Sequence, residues 1–206
     1  MDTAFLITAF VTMFVVIDPP GLAPLFLVLT RGMGAPQRRA IALRACAVAI
    51  GVLALFAAFG EALMGFVGIS MPAFRVAGGI LLFLTALDML FERRTKRRQD
   101  QTDEHPDDPS VFPLAVPLIA GPGAIASMIL LAGQKPGWEG LTLAILVMVA
   151  VMAVALLFLE LSSLIERVLG KTGINVVTRL LGMLLAALSV QFVLDGLRAF
   201  GFASGA

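Results

Sequence analysis

Apolar residues occur along this chain in runs of about twenty or more, separated by short polar segments. An α-helix needs roughly 20 such residues to cross the ~30 Å hydrocarbon core of a bilayer. The runs occupy six stretches of the 206 residues, namely 4–30, 45–67, 73–91, 111–133, 139–165 and 177–200. In lipid, backbone polar groups must be satisfied within the segment, so the pattern predicts an all-α integral membrane protein with six transmembrane helices.

One long polar segment divides the chain near its middle. It carries five basic and six acidic side chains, and Pro106 and Pro109 disfavour a continuous helix within it. His105 lies there among acidic residues without the spacing of metal ligands, so we expect a solvated linker and no metal site. The predicted organisation is a first three-helix repeat (1–91), a charged cytoplasmic linker (92–110) and a second three-helix repeat (111–206).

The basic residues indicate an orientation. Most of them fall in the predicted loops after spans one, three and five: Arg31, Arg38, Arg39, Arg44, Arg93, Arg94, Lys96, Arg97, Arg98, Arg167 and Lys171. The positive-inside rule makes that face cytoplasmic and places both termini in the periplasm of a multi-pass inner-membrane protein. Basic residues gathered in short loops serve as topology signals and give no reason to expect a nucleic-acid partner.

An internal repeat relates the two halves. The first half contains Glu61, then Gly68-Ile69-Ser70, Arg75, Gly78 and Thr85, and the second contains Glu166, then Gly173-Ile174-Asn175, Arg179, Gly182 and Ser189. Because each half has an odd number of spans, the second half inserts upside down relative to the first. This predicts two inverted three-helix repeats, a plan common among secondary transporters.

Proline and glycine interrupt the first and fourth apolar runs at corresponding places. Span one contains Asp18-Pro19-Pro20-Gly21, and span four contains Gly121-Pro122-Gly123 followed by Ser127. Proline removes a backbone donor and clashes with the preceding turn, while glycine tolerates the backbone angles of a break. We therefore expect helices 1 and 4 to be broken, and matched broken helices indicate a binding site near the membrane midplane.

These motifs suggest a site for a small zwitterion. The N-terminus of a half-helix presents unpaired N–H groups and a positive dipole end, which favour a carboxylate. Asp18 could hold an ammonium group or a coupling cation, H⁺ or Na⁺. A structural interpretation stays open beside this one, because Asp before Pro is also a good N-cap for the second half-helix.

Other charged residues have weaker claims to a function. Glu61 with Arg75 at the outer edge, and Glu166 with Arg179 at the inner edge, are expected to form structural pairs or gates. The sequence shows no nucleophile with an adjacent base and no phosphate-binding glycine loop with its lysine. We therefore expect neither an enzyme nor a bound cofactor.

Four stretches resemble the MarC family of bacterial inner-membrane proteins, which is named for a multiple-antibiotic-resistance locus. They are FLITAFVTMFVVIDPPGLAPLFLVLT, PAFRVAGGILLFLTALDMLF, HPDDPSVFPLAVPLIAGPGAIASMILLAG and TGINVVTRLLGMLLAALSVQFVLDGL. The resemblance implies six spans and a distant relationship to amino-acid exporters of the LysE type. At least one archaeal relative is described as a transporter of small neutral amino acids.

The leading hypothesis is therefore a secondary transporter or exporter of small neutral amino acids or similar small metabolites, with the lipid bilayer and that substrate as its partners. A drug or antibiotic efflux protein is one alternative. A membrane scaffold or regulator whose partner binds the charged linker is another. The sequence leaves open whether the protein forms a homo-oligomer.

Overall fold

The computed structural model describes residues 3–91, 108–135 and 137–201, and these residues form helices and turns with no strand among them. Most of the predicted linker, residues 92–107, lies outside the described residues, as does His105. Within these ranges, eight helices follow one another: α1 (Thr3–Ile17), α2 (Pro19–Leu29), α3 (Ala35–Val67), α4 (Met71–Leu90), α5 (Ser110–Ile119), α6 (Pro122–Ala132), α7 (Trp138–Glu160) and α8 (Ser162–Ala199).

The helices agree in number and length with membrane spans. Five stretches are long and apolar enough to cross a bilayer: α1 with α2, α3, α4, α7 and α8. The pair α5 and α6, bent by 59°, brings the number to six when it is counted as one span. Ser110, which we placed in the linker, begins α5 and is fully buried.

Two helices start well before their apolar runs, contrary to prediction. α3 begins at Ala35 instead of residue 45, and α8 begins at Ser162 instead of residue 177, with a kink at Gly170, whose backbone is not helical (φ 60°, ψ 176°). The basic residues of these two stretches therefore lie on helices, whereas we had assigned them to loops. Hydropathy marks only the part of a helix that lies in hydrocarbon. Alanine, glutamine and arginine are strong helix formers in water, so α3 continues beyond the membrane.

Helices α4 and α8 pack against each other in antiparallel fashion through small residues. A Cβ atom on Gly79 would lie 2.8 Å from the Ser189 carbonyl, and one on Gly196 would lie 3.0 Å from the Pro72 carbonyl. Gly182 comes equally close to Ala86, with 3.2 Å to its carbonyl. The three contacts follow one another at intervals of seven residues along both helices. Absent side chains thus allow the two backbones to approach closely, as at other small-residue membrane interfaces.

The two halves of the chain interlock. α3 of the first half packs against α5 and α6 of the second, while α7 of the second half packs against α1 and α2 of the first. In addition, α2 contacts α8, and α4 contacts α6. Each half therefore completes the core of the other.

The outer surface is apolar, as a lipid-facing surface must be. Leucines in the middle of the spans are more than half exposed, including Leu55, Leu84, Leu146 and Leu180. Large aromatic side chains lie exposed at helix ends, with Phe66 at 90% and Trp138 at 83%. Aromatic residues are favoured where the bilayer meets water. The exposed apolar surface is thus suited to contact with lipid.

The bundle has two polar faces, which we name by what they contain. The N-face carries the start of α1, the turn between α3 and α4, and the end of α8. The opposite L-face carries the start of α3, the end of α7 and the end of the linker. At the L-face, Arg39 forms an ion pair with Glu160 at 3.2 Å, and Arg44 pairs with Asp108.

The packing of α4 on α8 yields a stability prediction. We expect Gly79→Ala to destabilise the protein by about 1–3 kcal/mol, because its methyl group would press on the α8 backbone. Gly51→Ala is the matched control, since no atom lies within 4 Å of its Cβ position and alanine is the better helix former. Thermal unfolding of both variants in detergent measures the difference. Equal midpoints for the two variants would contradict the close contact.

Candidate functional site

The most irregular point of the first span is Asp18, between α1 and α2. Its backbone is left-handed, with φ 57° and ψ 62°, a conformation that Asp tolerates better than most residues. Pro19 and Pro20 supply no N–H group, so the helical ladder is interrupted there. The Asp18 N–H still bonds the Phe14 carbonyl at 2.9 Å, and the Leu22 N–H bonds the Asp18 carbonyl at 3.0 Å. Two helical hydrogen bonds therefore bracket the interruption.

The Asp18 carboxylate is enclosed by protein. Only 1% of the residue is exposed, and Oδ1 accepts hydrogen bonds from the Gly21 N–H at 3.2 Å and from Thr178 Oγ1 at 3.3 Å. The bond from Gly21 makes Asp18 the N-cap of α2, which confirms the structural interpretation of this residue. The bond from Thr178 comes from α8, so the carboxylate also links the two halves of the chain.

Gly21 is required by this arrangement. A Cβ atom at position 21 would overlap the Asp18 carboxylate. Because Gly21 has no side chain, it leaves the space that the Asp18 carboxylate occupies.

The second interruption has a different construction. Phe112 and Val116, each followed by proline, have extended backbones within α5, as expected because proline disfavours helical angles in the preceding residue. The chain then turns at Ala120, and Gly121 caps α6 without a side-chain hydrogen bond. Pro122 lies in the first turn of α6. No acidic residue stands here, so the capping geometry of Asp18 has no counterpart.

The start of α6 lies beside the end of α1. A Cβ atom on Gly123 would be 3.4 Å from both Val16 and Thr85 Oγ1. Since α1 runs towards this point and α6 away from it, Thr12 and Ser127 lie one turn further along, on adjoining stretches of the two helices. Both hydroxyl groups are fully buried and find no hydrogen-bond partner among the described residues.

Comparison with known proteins was decisive for classification. The sequence model described as "MarC family integral membrane protein" matches residues 3–200. The chain belongs to the MarC family. The UPF0056 membrane protein YvbG of Bacillus subtilis is 37% identical over 96% of both chains. The UPF0056 inner membrane protein YhgN of Escherichia coli is 33% identical over 94% of this chain and 96% of its own.

An archaeal protein is similar to the same extent. The UPF0056 membrane protein MJ1677 of Methanocaldococcus jannaschii is 34% identical over 96% of this chain and 98% of its own. No solved structure matches the chain. The family relationship therefore covers nearly the whole sequence and includes both bacterial and archaeal membrane proteins.

The structure of this MarC-family chain brings some of the predicted site residues together. Asp18, Pro19, Pro20 and Gly21 form the first interruption, and Gly121, Pro122 and Gly123 form the second, with Ser127 one turn beyond. The close approach of Gly123 to Val16 brings the two interruptions to the same region of the bundle.

Sequence reasoning missed Thr12 and Thr178. A threonine within an apolar run was the only available signal, and threonines in membrane helices commonly bond their own backbone, as Thr30 and Thr85 do here. Nothing local distinguishes Thr178, whose role follows from the packing of α8 against α2.

The four charged residues that we expected to form structural pairs or gates lie on α3, α4 and α8. Glu61 lines a small cavity with Lys135 and Trp138, whereas Arg75 lines a separate cavity at the same face. A structural-pair or gating role for any of the four stays a prediction.

The Asp18 cap can be tested through its glycine neighbour. We expect Gly21→Ala to destabilise the protein by at least about 1 kcal/mol, because the added methyl group displaces the capping carboxylate. Gly123→Ala, in the first turn of α6, should cost little, since its nearest neighbours lie at an ordinary contact distance. Thermal unfolding in detergent compares the two. A more damaging effect at position 123 would contradict this account of the cap.

Proposed function

We propose that this protein is a secondary transporter or exporter of small neutral amino acids, or of similar small metabolites, across the bacterial inner membrane. The observation that carries the proposal is the burial of Asp18 midway along a membrane-spanning helix pair, where the helix is interrupted. A carboxylate at that depth is costly to keep, and it typically belongs to the path of a substrate or ion. Asp18 is the one fully buried acidic or basic residue among those described.

The packing supports an inverted repeat of residues 1–91 and 111–206, with helices 1 and 4 as the broken members. Each repeat then has three parts. The first is a broken span, the second is a helix (α3 or α7) that packs on the broken span of the other repeat, and the third helices of the two repeats, α4 and α8, pack on each other. Gly21 and Gly123, at the two interruptions, are separated by 102 residues. A substrate site at the interface of such repeats allows access from each side in turn.

The two halves are not chemically equivalent, and this favours a site over a repeated structural device. Asp18 meets the hydroxyl of Thr178, while its counterpart Ala120 lines an apolar groove together with Phe74. A single carboxylate could hold an ammonium group or a coupling cation, H⁺ or Na⁺. A substrate carboxylate would then be attracted by the N-terminus of α6, where Gly121 leaves N–H groups uncapped by a side chain.

The proposed orientation has both termini in the periplasm. Its support is the concentration of arginine at the L-face, where Arg31, Arg38, Arg39 and Arg44 lie. The name of the relative YhgN describes an inner membrane protein, which favours the same membrane for this chain.

Transport in liposomes tests the proposal directly. Purified protein should move glycine or alanine down an imposed gradient, and Asp18→Asn should abolish this movement. Asparagine caps helices as well as aspartate and also tolerates the left-handed conformation, so the fold should survive without the charge. Unfolding midpoints of the two proteins provide the control. Failure of the wild type to move any neutral amino acid would refute the substrate assignment.

One observation favours a second candidate, the efflux of hydrophobic drugs. An apolar groove of about 570 Å³ runs between α3, α4, α5 and α6 and reaches the second interruption at Pro117 and Ala120. A transporter of this kind needs such a wide apolar cavity. On this hypothesis, cells without the protein accumulate more of a hydrophobic dye, and a bulky residue at Leu63 has the same effect. Unchanged accumulation across a drug panel would exclude it.

A further inference from the structure

A polar cavity of about 400 Å³ opens at the N-face, between the start of α1, the start of α4, residues 134–135 and the end of α8. Three charged residues line it: Arg75, Lys135 and Asp195. Uncharged hydrogen-bonding groups complete its polar wall, from Thr8, Gln134 and Gln191. The volume lies at the small end of the range for ligand pockets, which is about 300–1,000 Å³.

Of the two cations that line the cavity, Arg75 has no ion-pair partner among the described residues. Its Nε atom is buried and finds no hydrogen-bond acceptor among the described residues. The residue lies in the second turn of α4, close to the positive end of that helix dipole, which disfavours a cation. An anionic group in the cavity would satisfy the buried donor and offset the dipole. Guanidinium groups bind carboxylates especially well, because two parallel N–H groups fit the two oxygens.

Lys135 is held differently. Its ammonium group forms an ion pair with Glu139 at 3.1 Å and lies 5.6 Å from the centre of the Phe5 ring. These contacts fix Lys135 at the rim, where it adds positive potential without offering a free donor pair. Arg75 is therefore the better carboxylate ligand of the two.

Asp195 supplies the opposite charge on the other wall. Its Oδ1 accepts a hydrogen bond from Gln191 Nε2 at 2.8 Å and forms a long ion pair with Arg198 Nη1 at 3.9 Å, which leaves the carboxylate able to accept a closer cation. Arg75 and Asp195 line one cavity, but no ion pair joins them among the described residues. Opposite charges held apart across a small cavity match the two ends of a zwitterion.

Two unsatisfied hydroxyl groups lie between the cavity and the helix interruptions. The contact of Lys135 with Phe5 lies at the N-face end of the α1–α6 packing, and Gly123 approaches Val16 at the other end. Thr12 and Ser127 lie between these contacts, fully buried and without hydrogen-bond partners among the described residues. Buried hydroxyls are usually satisfied, so these two are available to hydrogen-bond a polar group between α1 and α6.

We propose that the N-face cavity is a second substrate site, in which Arg75 binds the carboxylate and Asp195 the ammonium group of a small amino acid. Thr12 and Ser127 form the polar step between this site and Asp18. The inference rests on the proposed transport function, and it adds a place where the substrate binds outside the region of the interruptions.

A thiol-protection experiment tests the cavity independently of transport. Cys46 is the one cysteine of the chain and is buried, so Ala4→Cys introduces a single exposed thiol at the rim. In detergent, alanine should slow the reaction of this thiol with a polar maleimide. Propionate and alaninamide, which each carry one of the two charges, should slow it far less at the same concentration.

Variants on the Ala4→Cys background assign the charges. Arg75→Gln and Asp195→Asn should each raise the alanine concentration needed for half-protection about tenfold, the effect of losing a charge-assisted hydrogen bond. Arg167→Gln removes an exposed positive charge from the opposite face and should change nothing. Arg75→Lys keeps the charge, so it should bind alanine more tightly than Arg75→Gln does. This variant replaces Arg75→Gln in the comparison if the glutamine variant does not fold. No protection by alanine, or equal protection in all variants, would overturn the proposal.

Transport measured beside protection separates the two hypotheses. Asp18→Asn should stop transport while alanine still protects the thiol, and Thr12→Val should slow transport without raising the concentration for half-protection. Protection by alanine without any transport would refute the proposed function and leave the cavity assignment standing. Transport of alanine that Arg75→Gln does not affect would refute the cavity assignment and leave the function standing.

Discussion

A backbone N–H or carbonyl group without a partner costs several kcal/mol in hydrocarbon, and this constraint governs every irregular feature of the chain. The interruption at Asp18 is tolerated because the side chain accepts the Gly21 N–H and helical hydrogen bonds continue on either side. Pro19 and Pro20 remove two donors that would otherwise need partners. The residues at the interruption thus reduce the number of backbone groups without a hydrogen-bond partner. For this reason the interruption can persist within the bundle.

The same constraint explains why the two halves interlock. A broken span exposes polar backbone and must be covered by protein. Each broken span is covered by a helix of the other half, α3 over α5 and α6, and α7 over α1 and α2. The close antiparallel contact of α4 with α8 also joins the halves, where Gly79 and Gly196 bring the backbones together.

Much of this architecture could be predicted from the sequence, because hydrocarbon thickness imposes a length on each apolar run. The runs gave the helices, and the Pro-Gly motifs indicated where regular backbone would be disturbed. The helix starts at Ala35 and Ser162 could not be found in this way, since helix formation in water depends on propensity and not on hydropathy. The hydrogen-bond partner of Asp18 on α8 could not be predicted from the sequence either. Thr178 lies 160 residues away, and only the packing of α8 on α2 brings the two together.

The hydrogen bond from Thr178 to Asp18 also bears on how the protein is made. The ribosome releases the first broken span into the membrane long before residue 178 has been synthesised, and α3 likewise waits for α5 and α6. During that interval, the Asp18 carboxylate lacks its partner from α8 and needs shelter from lipid, through water, headgroups or the insertion machinery. The interlocked packing therefore makes this membrane protein one whose first half cannot finish folding before its second half has been inserted.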